Sequence, residues 1–292
     1  MKVTGIGGGH GLAATLMAAR HYAEDISAVV TVADDGGSSG KLTRELGIPP
    51  PGDIRNCLVA LAGDGDRADL YQHRFQQGAL TGHTVGNLIV AALTEMTGDF
   101  AEAVAAAGRM LGCEGRVYPA TSEMVTLMAQ VRGGVVRGQV AVAQTKDPIQ
   151  ALFLEPRAPR ADPGAVSAIL AADQVVLGPG SLFTSLIATI LVPGVRKALR
   201  ETSAQRVFVC NARMQKGETE GLDAAAHVES LLAHAGADAV DVVVVQAPVL
   251  PVDGVDTASL AGAGIRVVEA SVASESGAHD PELLARVLTS LV

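Results

Sequence analysis

Short runs of β-branched and aliphatic residues recur along the chain, each leading into a glycine-rich or acidic turn and then into a helical pattern. That rhythm belongs to a parallel α/β sheet. The runs place core strands near residues 3–6, 28–33, 174–177, 206–210, 240–245 and 265–269. Between residues 53 and 111 the period stays helical, with breaks at 63–66, 78–82 and Gly98, and Asp99 reads as the cap of the last helix in that block. From 125 to 142 the text alternates around Arg132-Gly133-Gly134, the mark of a β-hairpin, and 151–154 adds a strand. Residues 281–291 read as a closing amphipathic helix. Strand runs lie on both sides of the helical block, so both halves must share one sheet. The expectation is a single decorated α/β domain over residues 1–292, with a helical insertion at about 53–111 and an edge β-meander at about 115–155.

Composition narrows the classes. Apolar residues make up 48% and charged residues 18%, too apolar for a disordered chain, and 292 residues can bury a large core. Twenty-two Lys plus Arg against 31 Asp plus Glu give a net charge of -9, which argues against a nucleic-acid surface. With three Tyr, five Phe and no Trp, a ligand is recognised mostly by polar groups rather than by stacking. Cys57, Cys113 and Cys210 are far apart and outside any CxxC, so neither a disulfide framework nor a zinc knuckle follows. Glycines interrupt the N-terminal MKVTGIGGGHG, and Gln246, Pro248 and Pro251 break the longest apolar stretch. The reading is a soluble, cytoplasmic protein without membrane insertion.

Three loops carry the candidate chemistry. The first, Gly7-Gly8-Gly9-His10-Gly11, joins a strand to a helix, where bare backbone N–H groups can face an anion. A dinucleotide fingerprint would need glycine where Leu12 stands, and a tight strand-helix turn explains the same text. The second, Asp34-Asp35-Gly36-Gly37-Ser38-Ser39-Gly40, puts two carboxylates at a strand end, which is costly unless they meet cations, ribose hydroxyls or backbone donors. An N-cap and turn would use the same residue types. The third, Gly178-Pro179-Gly180-Ser181-Leu182-Phe183-Thr184-Ser185, has no lysine after its glycines, so it is not a Walker A loop, yet backbone and hydroxyls there could hold a diphosphate. All three fall where ligands bind parallel sheets, at strand C-terminal ends.

Around them stand further polar candidates. Asp53 reads as a helix cap, with Arg55 and Asn56 in the first turn; Arg55 answers an anion, ligand phosphate or acidic pair, or else is a solvated arginine. In Gly82-His83-Thr84-Val85-Gly86-Asn87, Asn87 interrupts an apolar helix and bonds a ligand or local backbone, while His83 suits binding better than base chemistry. After the strand ending at Cys210 come Asn211 and a fourth polar loop, Gln215-Lys216-Gly217-Glu218-Thr219. No nucleophile constellation is marked by spacing, so catalytic residues are not assigned.

The run TVADDGGSSGKLTRELGIPPPGDIRNCLVAL, with GHTVGNL, GPGSLFTS and the Cys210-Asn211 to Gln215-Lys216-Gly217-Glu218-Thr219 segment, resembles the YvcK branch of the YvcK/CofD-like family, also called gluconeogenesis factors. The resemblance runs to about Leu232. It implies a Rossmann-like three-layer fold and binding of UDP-sugars such as UDP-N-acetylglucosamine. It further implies a cytoplasmic regulatory role in carbon use on gluconeogenic substrates, cell-wall synthesis and cell shape, with protein partners in cell-wall synthesis; a homo-oligomer is compatible with it. The sister CofD branch transfers a phospholactyl group from a guanylated donor to a deazaflavin alcohol. This chain departs from the pattern at His10, at Ala188-Thr189, at Ala212-Arg213-Met214 with Lys216, and at Ala278, which stands where an arginine commonly precedes His279-Asp280.

The ligand-binding set is therefore Gly8, Gly9, His10, Gly11, Asp34, Asp35, Gly37, Ser38, Ser39, Asp53, Arg55, Asn56, His83, Asn87, Gly178, Gly180, Ser181, Thr184 and Asn211. No cofactor is assigned to the regulator. The transferase alternative would place Mg²⁺ on Asp34 or Asp35, with His83 as base. A nicotinamide dehydrogenase is disfavoured by the broken glycine fingerprint.

Overall fold

The computed structural model describes residues 1–213, 215, 218–219, 221–248, 260 and 264–292. Seven strands form one parallel sheet: β1 (Lys2–Gly7), β2 (Asp25–Val30), β3 (Arg116–Pro119), β7 (Gln174–Leu177), β8 (Gln205–Val209), β9 (Val242–Gln246) and β10 (Arg266–Ala270). Their order is β10-β9-β8-β7-β1-β2-β3. From β1 the chain proceeds outward through β2 and β3; later it returns beside β1 with β7 and proceeds the other way. The strand order thus reverses between β1 and β7, the place outside the strand ends where open parallel sheets form their ligand crevice. β7 and β9 are buried along their whole length, which is why they read as unbroken apolar runs.

Helices cover both faces. α1 (Gly9–Ala19), α3 (Gly52–Ala62), α6 (Phe100–Leu111) and α12 (Pro281–Thr289) pack on one face around Leu12, Leu16, Ile54, Leu58, Val104 and Leu284. α8 (Pro163–Ala171), α10 (Pro193–Glu201) and α11 (Ala224–Ala235) pack on the other around Ile169, Val195 and Val228. Between β7 and α10 run a π-helical segment, Leu182–Ile187, and the short α9 (Ala188–Ile190). The 53–111 stretch holds α3, α4 (Asp66–Gln72), α5 (Val85–Thr97) and α6, with Asp99 Oδ1 accepting from the Glu102 amide at 2.9 Å as the α6 cap. α2 (Gly37–Leu46) precedes them. Among the described residues no single helix is long and apolar enough to cross a membrane; Leu182–Ile190 and Pro193–Glu201 together have the length and composition but bend by 78°.

Three expectations need correction. Residues 116–119 do not belong to the meander: β3 pairs parallel with β2 as the edge strand of the main sheet. The hairpin β4 (Thr126–Val131) and β5 (Gly134–Arg137), with β6 (Ala151–Glu155), makes a separate antiparallel sheet of order β5-β4-β6, and α7 (Gln139–Gln144) ends the alternation. That small sheet shares the α8 side of the core through Leu127, Ala129, Leu152 and Leu154. β2 lies three residues earlier than its apolar run, because Thr31, Val32 and Ala33 are buried beyond the paired segment.

Candidate functional site

Backbone contact locks the first and third loops together. Gly178 N–H donates to Ile6 O at 2.9 Å, and Thr15 Oγ1 donates to Gly178 O at 2.8 Å. A Cβ on Gly11 would collide with the Pro179 carbonyl, so only glycine lets α1 start this close to the third loop. Thr189 Oγ1, in the Ala188-Thr189 pair, lies 2.7 Å from Ser185 O and 3.3 Å from Gly7 O, tying α9 to the end of β1.

Two carboxylates stand beside this lock. The Gly9 amide donates to Asp53, whose Oδ2 would be 2.5 Å from a Cβ placed on Gly8. Asp34 Oδ1 accepts from Gly36 N–H at 2.9 Å, and the carboxylate also accepts from Ser39. Burial pushes the Asp34 carboxyl above its ordinary range against those bonds. Asp53 is pushed up to about 7, first by burial and then by the charge on Asp34. Asp35 points elsewhere: its Oδ1 accepts from Val140 N–H at 2.9 Å at the start of α7. The twin acids of the second loop therefore serve different neighbours.

Ser38, His83 and Asn87 meet in a buried polar chain. Asn87 Nδ2 donates to Ser38 Oγ at 3.1 Å, and Ser38 Oγ lies 3.0 Å from His83 Nδ1. The serine hydroxyl can accept from the amide and still either donate to Nδ1 or accept from an Nδ1–H, so the chain closes in either tautomer of His83. Asn87 Oδ1 is buried without a partner among the described residues. Gly37 is exposed at the start of α2.

On the far side of the crevice the donors already have acceptors. Gly180 N–H donates to Asn211 Oδ1 at 3.0 Å, Asn211 Nδ2 to Gln215 Oε1 at 3.4 Å, and Gln215 Nε2 to Ser181 Oγ at 2.9 Å. Glu218 Oε1 accepts from the amides of Phe183 and Thr184 at 2.8 and 2.9 Å, and both carboxylate oxygens lie 3.2 Å from Thr184 Oγ1. A protein carboxylate thus stands where the third loop could hold phosphate. The sequence marks Glu218 only as part of a polar loop, and nothing in its spacing from Phe183 announces the pairing. Met214, Lys216 and Gly217 lie outside the described residues. His279 Nε2 bonds to the Cys210 carbonyl at 3.1 Å, and burial lowers its pKa. Arg213 reaches Glu275 O at 3.0 Å.

Two predicted residues line another surface. His10 and Asn56 border a groove of about 690 Å³ with Arg20, Asp69 and Glu282. The structure thus gathers Gly8, Gly9, Gly11, Asp34, Ser38, Ser39, Asp53, Arg55, His83 and Asn87 into one neighbourhood, continuous with Gly178, Gly180, Ser181, Thr184 and Asn211 where the first and third loops touch.

Residues 3–276 match the family described as 2-phospho-L-lactate transferase CofD. The chain is 41% identical to the gluconeogenesis factor of Halalkalibacterium halodurans over 84% of this chain and 77% of that protein. It is 43% identical to the gluconeogenesis factor of Bacillus subtilis, covering 86% and 80% of the two chains. A crystal structure of a UPF0052 family member from Bacillus halodurans superposes with a TM-score of 0.93 at 35% identity, over 99% of this chain and 98% of that one. With the strand order, the acidic second loop and these likenesses together, the chain belongs to the YvcK branch of the YvcK/CofD-like family, the branch of the gluconeogenesis factors.

Proposed function

We propose that the protein is a cytoplasmic regulator that binds a nucleotide sugar of the UDP-N-acetylglucosamine type and acts in carbon use on gluconeogenic substrates, cell-wall synthesis and cell shape. The observation that carries this reading is the Asp34 and Asp53 pair, held beside bare backbone at the strand-order reversal. Ribose and sugar hydroxyls are donors, and two partly buried carboxyl groups are the acceptors that suit them. The polar rim, poor in aromatic rings, favours recognition by hydrogen bonds. The name of the relatives, gluconeogenesis factor, supports the physiological side. A regulator further requires that the ligand bind two conformations unequally, so that protein partners meet a changed surface.

Calorimetry with UDP-N-acetylglucosamine, GDP and NAD, with and without Mg²⁺, tests the reading. The UDP-sugar should bind most tightly and remain unconverted. Asp34→Asn should weaken it by roughly tenfold or more, the loss of a charge-assisted bond, while moving the melting temperature little. Equal binding by the variant would move the site elsewhere.

A second reading, phospholactyl transfer, is favoured by the description of the matching family. Mg²⁺ is held by one or two carboxylates together with substrate phosphates, and Asp34 with Asp53 would suit that role, because Asp35 is engaged by α7. Among the described residues no cluster of three or more His, Cys, Asp or Glu side chains is placed to hold a metal by itself. His83, bonded through Nδ1 to Ser38, would be the base in that reading. Formation of the phospholactyl deazaflavin by purified protein would replace the regulator with the enzyme.

A further inference from the structure

The start of α5 is furnished differently from the other helix starts in the crevice. Thr84, its cap residue, is fully buried, yet the hydroxyl neither caps the helix nor bonds to any described residue. The amides of Gly86 and Asn87, in the first turn, have no acceptor among the described residues. The Arg55 side chain lies across this turn: a Cβ on Gly86 would stand 2.6 Å from Arg55 Cγ. Arg55 makes no ion pair or side-chain hydrogen bond among the described residues, and its Nε is buried without a partner. Arg74, whose backbone bridges to Thr84, adds a second positive charge, so that burial and Arg74 together lower the Arg55 pKa while Asp53 opposes them.

A guanidinium drawn out of water without a contact ion pair or hydrogen bond is costly, and it stands beside a helix start that itself favours negative charge. The hydroxyl and free amides add donors, and donors without acceptors are what a phosphoryl group satisfies. We propose that the start of α5, with Arg55, Arg74 and the Thr84 hydroxyl, is an anion subsite for a phosphoryl group. We assign it the pyrophosphate of the nucleotide ligand, since Asp53 and Glu218 already face the first and third loops. The assignment to a nucleotide rests on the nucleotide-sugar reading; the anion subsite does not.

The test measures binding of inorganic pyrophosphate and of UDP-N-acetylglucosamine to the full chain and to Arg55→Gln, Arg55→Lys and Thr84→Val, with melting temperatures of the ligand-free proteins. Wild-type protein should bind both. Arg55→Gln should weaken both by roughly 10- to 100-fold, Arg55→Lys should recover part of the loss, and Thr84→Val should weaken both severalfold. Ligand-free Arg55→Gln should melt close to wild type, because no hydrogen bond or contact ion pair is lost and only the attraction to Asp53 is removed, while the glutamine stem keeps the packing on Gly86. Equal pyrophosphate affinity in wild type and Arg55→Gln, no pyrophosphate binding by wild type, or a fall of several degrees in the ligand-free variant would overturn the subsite. If pyrophosphate behaves as expected and the UDP-sugar does not bind, the subsite stands and the nucleotide-sugar reading falls. If the UDP-sugar binds wild type and all variants alike, the subsite falls and the reading stands.

Discussion

Three helix starts open on one crevice and are satisfied in different ways. At α1 the Gly9 amide meets Asp53, and at the π-helical segment the amides of Phe183 and Thr184 meet Glu218. At α5 the fold brings an arginine, a buried hydroxyl and amides that have no hydrogen-bond partner among the described residues. The contrast teaches that a glycine-rich loop is a licence for close approach and not in itself an anion seat. At Gly11 the approach is used by the protein's own backbone, which packs on Pro179. Among the described residues, Arg55 Nε, Thr84 Oγ1 and Asn87 Oδ1, which lack partners, lie instead at a helix start whose first turn holds a single glycine, Gly86.

The largest expected effect breaks the filled side of that contrast. Glu218→Ala strips the acceptor from two amides and the Thr184 hydroxyl, and charge-assisted bonds cost about 1.5–3 kcal/mol each when broken, though not additively. A loss of about 2–4 kcal/mol should lower the melting temperature by roughly 5–12 °C in a scanning calorimeter. Glu218→Gln keeps a neutral acceptor and should lose less than half as much. Pyrophosphate affinity should stay within twofold. A tenfold gain in affinity would instead show that Glu218 blocks an anion seat, and the distinction between the helix starts would collapse.

Asp53 offers a smaller effect with a pH signature. Its folded-state pKa of about 7 lies above the value of about 3.9 for an unfolded aspartate, so the folded protein holds the proton more tightly. That contribution to stability is complete below about pH 4 and is lost as pH rises through 7. Asp53→Asn keeps an acceptor for the Gly9 amide without the charge. It should therefore melt like wild type near pH 4 and higher than wild type by roughly 3–8 °C at pH 8. A constant difference across that range would show that burial and Asp34 do not load this carboxyl.

These partnerships mark where reading the chain as text stops. β7 and β9 are legible because burial on both faces makes them continuous apolar runs. β3 is not: it is four residues long, begins with exposed Arg116, ends in Pro119 and pairs on one side only. β2 slides in the reading because Val32 and Ala33 are buried by packing rather than by pairing. At the crevice the residue types are legible, since acids, serines and glycines at strand ends have a stated cost or purpose. Their partners are not. Glu218 meets Thr184 across 34 residues, and Asn87 meets Ser38 across 49, contacts set by how loops from distant strands converge. Thr84 is hidden in the sequence because a threonine before a helix reads as a cap, and only its unmade capping bond distinguishes it.

The smallest effect separates two adjacent residues with the same side chain. Asp34 bonds within its own loop and lies beside Asp53, whereas Asp35 accepts from Val140 and fastens the second loop to α7. A carboxylate at a helix start is worth about 1 kcal/mol, so Asp35→Ala should lower the melting temperature by roughly 2–4 °C. Its affinity for the UDP-sugar should remain within twofold, the reverse of the pattern expected for Asp34→Asn. The difference follows from the different partners of the two carboxylates, Gly36 N–H for Asp34 and Val140 N–H for Asp35. If Asp35→Ala instead weakened the ligand as much as Asp34→Asn and left the melting temperature untouched, the two acids would act on the ligand as one unit. The bond to α7 would then be incidental to how the crevice holds its ligand.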